Sequence, residues 1–215
     1  MSDLAMHSLV EALLDGNQAR SVAEARRLRN VGAGIEQIVL EGVGKAMEQL
    51  DGKCTIEQFN LLEIMLVGRA AMGVIKELFP QGDSGIPARG TVIVCSLEGD
   101  VHDIGKNILK MILTAKGYKV IDCGKDCHVD KLVETAEQHG ADAICISGLI
   151  TTVIPQVKTV KELAGKRGLG HIRILAGGAA LKQATAKDLR VDFVADTAFD
   201  GAHFLESAVE KKGLI

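Results

Sequence analysis

The spacing of apolar residues changes near residue 90, and this change constrains the fold of the 215-residue chain more than any other feature. From Thr91 onwards, short apolar runs typical of strands alternate with stretches of helical period. The runs do not alternate strictly between polar and apolar residues, as expected of strands buried on both faces. Strand and helix in regular alternation predict a parallel sheet covered by helices on both sides.

Each strand of this half is expected to be followed by a helix. We predict strands at 91–97, 118–122, 142–147, 172–176 and 191–195, and helices near 104–116, 129–138, 153–166, 180–188 and 199–211. Five such units indicate an α/β domain with a doubly wound, flavodoxin/Rossmann-like parallel sheet. In this architecture, ligands bind at the carboxyl ends of the strands, near the switch in strand order.

The preceding residues, 1–79, show only the helical period. We predict a first helix over Met6–Leu14 that Gly16 ends, a short basic second helix around residues 22–28, a third over 35–50 and a fourth over about 55–79. The fourth helix is apolar on more than one face, including Leu62, Met65 and Met72, which predicts that it is buried. Four helices with short connections indicate a bundle.

A segment rich in glycine and proline, residues 80–90, separates the two halves and predicts a linker. We therefore expect a helical cap domain over residues 1–88 and an α/β domain over 89–215. The net charge of −3 gives no reason to expect nucleic acid or an anionic membrane as a partner. No apolar run approaches the roughly 20 residues of a membrane span, and the N-terminus lacks the order of a signal peptide. We expect a cytoplasmic protein.

The chain has five cysteines, an odd number that does not suggest a disulfide framework. Cys95 and Cys145 lie in apolar strand-like runs, which predicts that they pack as small hydrophobic residues. Cys123, Cys127 and His128 lie close together in sequence and permit a metal site, but no second pair completes one. We favour ordinary loop cysteines.

Small and polar residues gather where the predicted strands end. The first strand runs into Gly99–Asn107, with the sequence GDVHDIGKN, in which His102 is a suitable ligand for cobalt, iron or zinc. Asp100 is suitably placed to hold the other ring nitrogen of that histidine. A single histidine is not a complete metal site, so a macrocycle would have to supply the remaining ligands. Alternatively, Asp100 and Asp103 cap the following helix, and His102 is only solvated.

Three motifs together resemble a known family. The first motif is Asp-x-His-x-x-Gly, which ends at Gly105. After 41 residues follows Ser147-Gly148-Leu149, and after a further 27 residues follows Gly177-Gly178. This order and spacing resemble the signature of cobalamin-binding domains. Such domains occur in methionine synthase, in corrinoid proteins of anaerobic methyltransferase systems and in some mutases. The segment GVGKAMEQLDGKCTIEQFNLLEIMLVGRAAM looks like the helical cap module of methionine synthase.

The resemblance implies a role for each matching residue. His102 would replace the cofactor's own base as the lower cobalt ligand, with Asp100 hydrogen-bonded to its far nitrogen. The detached nucleotide tail would enter a slot lined by Ser147 and Leu149, where Gly177 and Gly178 leave room because a side chain would collide with the tail. Further cofactor contacts are expected from Val101, Asp103, Ile104, Gly105, Thr151, Ala195 and Asp196.

One position departs from the pattern of methionine synthase. In methionine synthase, a proton relay continues from the aspartate to a serine six residues after the serine of the Ser-x-Leu motif. The corresponding residue in this chain, six positions after Ser147, is Val153. Thr151 or Thr152 would take over that role, or the relay ends at Asp100. The helical cap would shield the upper face of the cofactor, with Met65 and Met72 as candidates for contact. Alternatively, both methionines only form the core of the bundle.

The expected function is that of a methyl carrier, not catalytic alone, whose cobalamin cycles between Co(I) and methyl-Co(III). Its partners would be a donor methyltransferase, an acceptor methyltransferase acting on tetrahydrofolate or coenzyme M, and a corrinoid-reactivating protein. Alternatives are a cobalamin-dependent sensor, a mutase subunit and a flavodoxin-like domain that binds a flavin. The sequence does not choose the methyl donor.

Overall fold

The computed structural model describes residues 2–53, 60–79 and 88–212. The chain divides into two compact units, one formed by Met1–Pro87 with Met111–Gly117, the other by Ala88–Lys110 with Tyr118–Ile215. Most of the predicted linker lies outside the described residues, so the predicted boundary between residues 88 and 89 stays a prediction.

The first unit is helical, as predicted. Asn17 and Asn60 cap two of its helices by accepting backbone hydrogen bonds from Arg20, at 3.0 Å, and Glu63, at 3.2 Å. Gly16, with a φ of +65°, follows the first helix. The helical segments are α1 (Ser2–Leu14), α2 (Gln18–Asn30), α3 (Ile35–Gln37), a π-helical segment (Ile38–Gly44), α4 (Lys45–Lys53) and α5 (Leu61–Leu78).

Two features of this unit differ from the prediction. The third helix contains a π-helical segment, where Gly42 approaches α1 so closely that a Cβ atom would lie 2.6 Å from Leu9 Cδ2. In α5, the apolar stripe that includes Ile64 is buried, but Leu62 and Met65 are exposed. The prediction that α5 is buried on more than one face is therefore wrong for this face. The predicted start of the helix, near Thr55, lies outside the described residues.

The second unit contains a five-stranded, all-parallel sheet with the strand order β2-β1-β3-β4-β5. This order confirms the predicted doubly wound architecture, and its switch point lies between β1 and β3. The helices and strands from residue 91 onwards are β1 (Thr91–Cys95), α6 (Ile104–Ala115, of which Met111–Ala115 belongs to the first unit), β2 (Lys119–Asp122), α7 (Val129–Gln138), β3 (Ala143–Ser147), α8 (Ile154–Lys166), β4 (Arg173–Gly177), α9 (Ala186–Leu189), β5 (Phe193–Ala195) and α10 (Ala198–Lys212).

Two segments after the strands are less regular than predicted. A 3₁₀ turn, Thr151–Val153, precedes α8. The predicted helix over 180–188 is instead a 3₁₀ turn, Leu181–Gln183, followed by the short α9, because the capping box of Thr185 starts a new helix there. The predicted strand ends differ from the observed ones by one or two residues.

The core of this unit lies between the sheet and its helices. Ile93, Ile144 and Ile174 at the centre of the sheet are completely buried, as are Leu132 and Val157 on helices that cover it. Cys95, in this core, and Cys145 are both buried, which confirms their predicted packing as small hydrophobic residues. Within the described residues, no helix is both long and apolar enough to span a membrane.

Candidate functional site

The loop between β1 and α6 places His102 at the carboxyl edge of the sheet. Gly99, with a φ of +88°, allows the chain to turn there, and the Asp100 amide donates a hydrogen bond to Leu97 O at 2.9 Å. The Ser96 hydroxyl donates to His102 O at 2.7 Å. Both ends of the loop are thus bonded to the two residues that follow β1, so the histidine has a defined position.

Asp100 is the buried centre of this loop. Its Oδ1 accepts hydrogen bonds from the ring Nδ1 of His102 at 2.8 Å and from the backbone amide of the same residue at 3.0 Å. Its Oδ2 accepts from the Leu149 amide at 2.7 Å. Burial acts to raise the pKa of Asp100, but the hydrogen bonds from Leu149 and His102 outweigh it and lower that pKa. The side chain is therefore an ionised acceptor and does not cap α6, as the alternative interpretation required.

This carboxylate selects the tautomer that a neutral imidazole adopts at position 102. A carboxylate only accepts hydrogen bonds, so Nδ1 carries the proton and Nε2 of the neutral ring keeps its lone pair. The imidazole is 53% exposed, whereas the Asp100 side chain is completely buried. The arrangement therefore presents an oriented nitrogen ligand to a group that approaches the loop.

The surroundings of the imidazole are apolar but exposed. Val101 and Ile104, on the same loop and at the start of α6, are among the most exposed large apolar side chains of the described residues. Leu149, whose amide binds Asp100, is exposed as well. Exposed apolar side chains around one polar group are typical of a ligand-binding surface.

Small residues lie at the ends of β3, β4 and β5. A Cβ atom at Gly105 would lie 3.1 Å from Ser147 Oγ, and it meets no other atom within 4 Å except those of its chain neighbours and its own helix. A Cβ atom at Gly177 would make only ordinary contacts with Ala195, at 3.4 and 3.7 Å. The missing side chains allow these segments to approach one another closely, and a slot for a ligand tail at this edge stays a prediction.

Gly178 has a different reason to be glycine from the one the sequence suggested. Its φ is +96°, and a Cβ atom would lie 2.6 Å from Gly148 O and 3.0 Å from Gly148 N. Gly148 in turn packs against Leu181, so that a Cβ atom added at position 148 would lie 2.8 Å from Leu181 Cγ. The close approach of two backbone segments therefore already requires glycine at position 178, independently of any ligand.

The remaining candidates lie at the margin of this site. Asp103 is half-buried, while Thr151, Thr152 and Asp196 are exposed. Among the described residues, the side-chain carboxylate of Asp100 accepts hydrogen bonds from His102 and Leu149 and from neither threonine. A relay that extends beyond Asp100 stays a prediction.

An ion cluster beside the loop was not anticipated from the sequence. The Lys106 side chain is only 4% exposed, and its Nζ lies 2.8 and 2.9 Å from the two carboxylate oxygens of Asp122. Lys110 Nζ lies 3.0 Å from the same carboxylate. Burial acts to raise the pKa of Asp122, but hydrogen bonds from Lys106, Gly124 and Lys110 lower it overall. The sequence contained one indication of this cluster. Lys106 and Lys110 are four residues apart, which places both on one face of α6.

The cysteine-histidine segment does not form a metal site in the described residues, where no group of three or more His, Cys, Asp or Glu side chains is arranged to hold a metal ion. Cys127 Sγ instead donates a hydrogen bond to His128 O at 3.6 Å. Nδ1 of His128 pairs with Glu98 Oε2 at 2.8 Å.

Comparison with known proteins identifies similar chains. A family model described as B12 binding domain matches residues 90–205. A dimethylamine corrinoid protein of Methanosarcina barkeri is 32% identical over 166 residues, covering 75% of this chain and 78% of that protein. A corrinoid protein of Desulfitobacterium hafniense is 28% identical over 211 residues, covering 96% and 98%.

Two solved structures have the same fold. The methanol:cobalamin methyltransferase complex MtaBC of Methanosarcina barkeri contains a chain that matches with a TM-score of 0.84 at 22% identity, over 97% of this chain and 80% of that one. A cobalamin-binding protein from Desulfitobacterium hafniense matches with a TM-score of 0.75 at 17% identity, over 94% and 97%. At these identities, the structures support the fold alone.

Proposed function

Because this chain belongs to the B12-binding-domain family of corrinoid proteins, whose cofactor is a cobalamin, we propose that His102 ligates the cobalt and that the protein carries a methyl group between methyltransferases. The observation that carries the proposal is the His102–Asp100 pair, in which a buried carboxylate holds one ring nitrogen of a half-exposed imidazole. The bound cobalt would supply the chemistry of methyl transfer, as acceptor and then donor.

The imidazole would replace the cofactor's own base as the lower ligand. Asp100 keeps the Nδ1 proton in place, so Nε2 is available as the metal ligand. A proton held at this hydrogen bond also tunes the basicity of the ring, because a stronger acceptor at Nδ1 makes Nε2 a better donor. The buried, ionised state of Asp100 therefore supports His-on binding.

The residues around the imidazole fit a flat ring with a detached tail. Val101, Ile104 and Leu149 would lie against the macrocycle, which would cover their exposed apolar surface. The tail would run past Gly105 and Ser147 towards Gly177 and Ala195, where side-chain volume is smallest. We propose further contacts for Asp103, Gly178, Thr151 and Asp196 from their places beside this slot.

The named relatives support the choice of partners. One is a dimethylamine corrinoid protein. We propose a donor methyltransferase, an acceptor methyltransferase that uses tetrahydrofolate or coenzyme M, and a reactivating protein.

Cobalt ligation is tested with the His102→Ala variant and a matched control, His128→Ala. Both imidazoles have Nδ1 at 2.8 Å from a carboxylate, but His128 is 68% exposed and its partner Glu98 is 51% exposed. Protein is reconstituted with hydroxocobalamin, and its visible spectrum is recorded. We expect one His-ligated, base-off cobalamin per chain in the wild type and in His128→Ala, and loss of the His-ligated spectrum in His102→Ala.

A second measurement identifies the ligand atom directly. The cobalt is reduced to Co(II) in protein labelled with ¹⁵N-histidine, and its electron paramagnetic resonance spectrum is recorded. An axial histidine nitrogen should change the splitting from the triplets of ¹⁴N to the doublets of ¹⁵N. Unchanged triplets would mean that the cofactor's own base is the ligand, and His-on binding would be refuted.

Methyl transfer separates a carrier from a sensor. Protein loaded with methylcobalamin is mixed with an acceptor methyltransferase and either coenzyme M or tetrahydrofolate, and demethylation is followed in the visible spectrum. A carrier loses its methyl group at a rate that depends on the concentration of the transferase. A sensor binds the same cofactor and keeps the methyl group.

A further inference from the structure

The segment between β2 and α7 continues the pairing of β1 with β2 beyond the ends of both strands. The Ser96 amide donates to Gly124 O at 3.0 Å, and the Cys127 amide donates to Ser96 O at 3.0 Å. The Glu98 amide donates to Cys127 O at 3.0 Å, so the ladder of hydrogen bonds reaches Glu98. These bonds join backbone to backbone, and most residue types could make them.

The ladder stops at Gly99, where the chain turns into the His102 loop. A φ of +88° takes Gly99 out of the extended conformation of a strand. Its amide donates to the side chain of Asp126, with 2.7 Å between Gly99 N and Asp126 Oδ1. The Asp126 amide in turn donates to Asp100 O at 3.1 Å. One residue therefore holds the chain both before and after the Cα atom of Asp100.

The backbone of Asp126 is itself in the left-handed region, with a φ of +55°. Few residues other than glycine adopt this conformation, and aspartate and asparagine are among the commonest exceptions. Glycine would suit the turn as well, but it has no side-chain oxygen to accept from the Gly99 amide. Aspartate at position 126 therefore meets two requirements, the left-handed backbone and the acceptor.

We propose that Asp126 is a positioning residue for cobalt ligation, which aims the Asp100 carboxylate at the His102 ring by holding the chain on both sides of Asp100. The hold of Asp126 on the loop concerns the protein without a cofactor. Its effect on cobalt ligation rests on the proposed function.

The Asp100 carboxylate has to meet two donors that lie on different segments. Oδ1 lies 2.8 Å from His102 Nδ1, and Oδ2 lies 2.7 Å from the Leu149 amide. Because hydrogen bonds depend steeply on distance and angle, both require a fixed position of the Asp100 backbone. If that backbone shifts, the imidazole is the partner that is lost first, since it is 53% exposed and can turn towards solvent.

Three substitutions separate the acceptor from the conformation of the backbone. Asp126→Gly and Asp126→Ala both remove the oxygen, but glycine relaxes the left-handed backbone and alanine strains it. Their effects on the free energy of unfolding should therefore differ, whereas their effects on the His102 loop should agree. Asp126→Asn keeps an oxygen acceptor and tolerates the same φ, so it should behave as the wild type does.

The loop is followed first in the full-length protein without cofactor, labelled with ¹⁵N. Exchange of the Gly99 amide with solvent should be about fivefold faster in Asp126→Gly and Asp126→Ala, as expected for the loss of one hydrogen bond. At a pH where the His102 imidazole is neutral, its nitrogen shifts should report the Nδ1–H tautomer in the wild type. Both variants should show a mixture with the Nε2–H tautomer. Wild-type exchange and an unchanged tautomer in both would overturn the proposal.

Lys125→Gly is the matched control for flexibility of the turn. Lys125 is exposed and precedes Asp126 directly, so glycine there loosens the same turn and leaves the Asp126 side chain in place. Gly99 exchange and the His102 tautomer should stay as in the wild type. Changes equal to those in Asp126→Gly would show that stiffness of the turn, and not the acceptor, positions the loop.

Cobalt ligation is tested by titrating the same proteins with hydroxocobalamin and recording the visible spectrum. In Asp126→Gly and Asp126→Ala, we expect a smaller His-ligated fraction at saturation and an affinity lower by about fivefold. The affinity of Asp126→Asn should stay within about twofold of the wild type. An equal His-ligated fraction in all four proteins would overturn the effect on ligation. If the wild type shows no His102 ligation while Gly99 exchange still depends on Asp126, the proposed function is refuted and the hold on the loop stands.

Discussion

The two sides of the His102 loop are built from different kinds of residues. On the side of β2, the space is filled by bonded side chains, with Lys106 and Lys110 paired to Asp122. On the side of β3, β4 and β5, small residues such as Gly177 and Ala195 lie at the strand ends, and we call it the open side because it carries little side-chain volume. The first side holds the loop in place, and the second is where we propose that the ligand binds.

This difference decides what a substitution does on each side. On the bonded side, removing one partner of the ion pair leaves a buried charge without its counter-charge, so the free energy of unfolding decreases. On the open side, added volume should hinder the ligand while the fold is retained. Gly178 is the exception on the open side, because its neighbour is backbone and not free space.

The sharpest test of the comparison is the adjacent pair Gly177→Ala and Gly178→Ala. At position 178, a left-handed φ and a Cβ atom 2.6 Å from Gly148 O should together lower the free energy of unfolding by about 4 kcal/mol. At position 177, the change should be less than about 1 kcal/mol, while cobalamin affinity falls about tenfold. Urea denaturation and cobalamin titration measure the two effects.

The outcomes separate two explanations of the glycine pair. If Gly178→Ala folds normally and fails only to bind cobalamin, the ligand and not Gly148 determines that position. If Gly177→Ala binds cobalamin as the wild type does, the slot does not pass this residue.

The bonded side is tested by Asp122→Asn, with Lys106→Met as the matched control. The first leaves Lys106 as a buried cation without its carboxylate and should cost about 3 kcal/mol of unfolding free energy. The second removes the buried charge at similar volume and should cost about 1 kcal/mol, because Asp122 keeps Lys110 and the Gly124 amide. Equal losses would show that the cluster acts through packing and not through charge.

The same pair predicts a dependence on pH. Because hydrogen bonds from Lys106, Gly124 and Lys110 outweigh burial and lower the pKa of Asp122 in the folded protein, its stabilising contribution is present above the unfolded value. It is lost as the pH falls through the folded value. The difference in stability between wild type and Asp122→Asn should therefore shrink below about pH 4. A stability difference that stays constant well below about pH 4 would contradict the ionised state.

The two sides also differ in how well the sequence predicted them. Strand ends are recognisable from apolar runs, so Ser147 and Gly177 could be placed at one edge without coordinates. The partners of Lys106 could not, because Asp122 follows sixteen residues later on another element. The reason for Gly178 depends on the backbone of Gly148, and the exposure of Met65 depends on which face of α5 packs. Periodicity gives a face, but only tertiary packing decides which face is covered.

The smallest effect on stability is expected at Gly105, where the two sides meet at the first turn of α6. Alanine is the better helix former, by up to about 1 kcal/mol, and its Cβ atom would have one close neighbour, Ser147 Oγ at 3.1 Å. Gly105→Ala should therefore change the free energy of unfolding by less than about 0.5 kcal/mol while lowering cobalamin affinity about tenfold. The double variant Gly105→Ala/Ser147→Ala removes the contact with the hydroxyl. If the added methyl group blocks the slot, the double variant binds as weakly as Gly105→Ala; restored binding would mean that only the position of Ser147 had been disturbed.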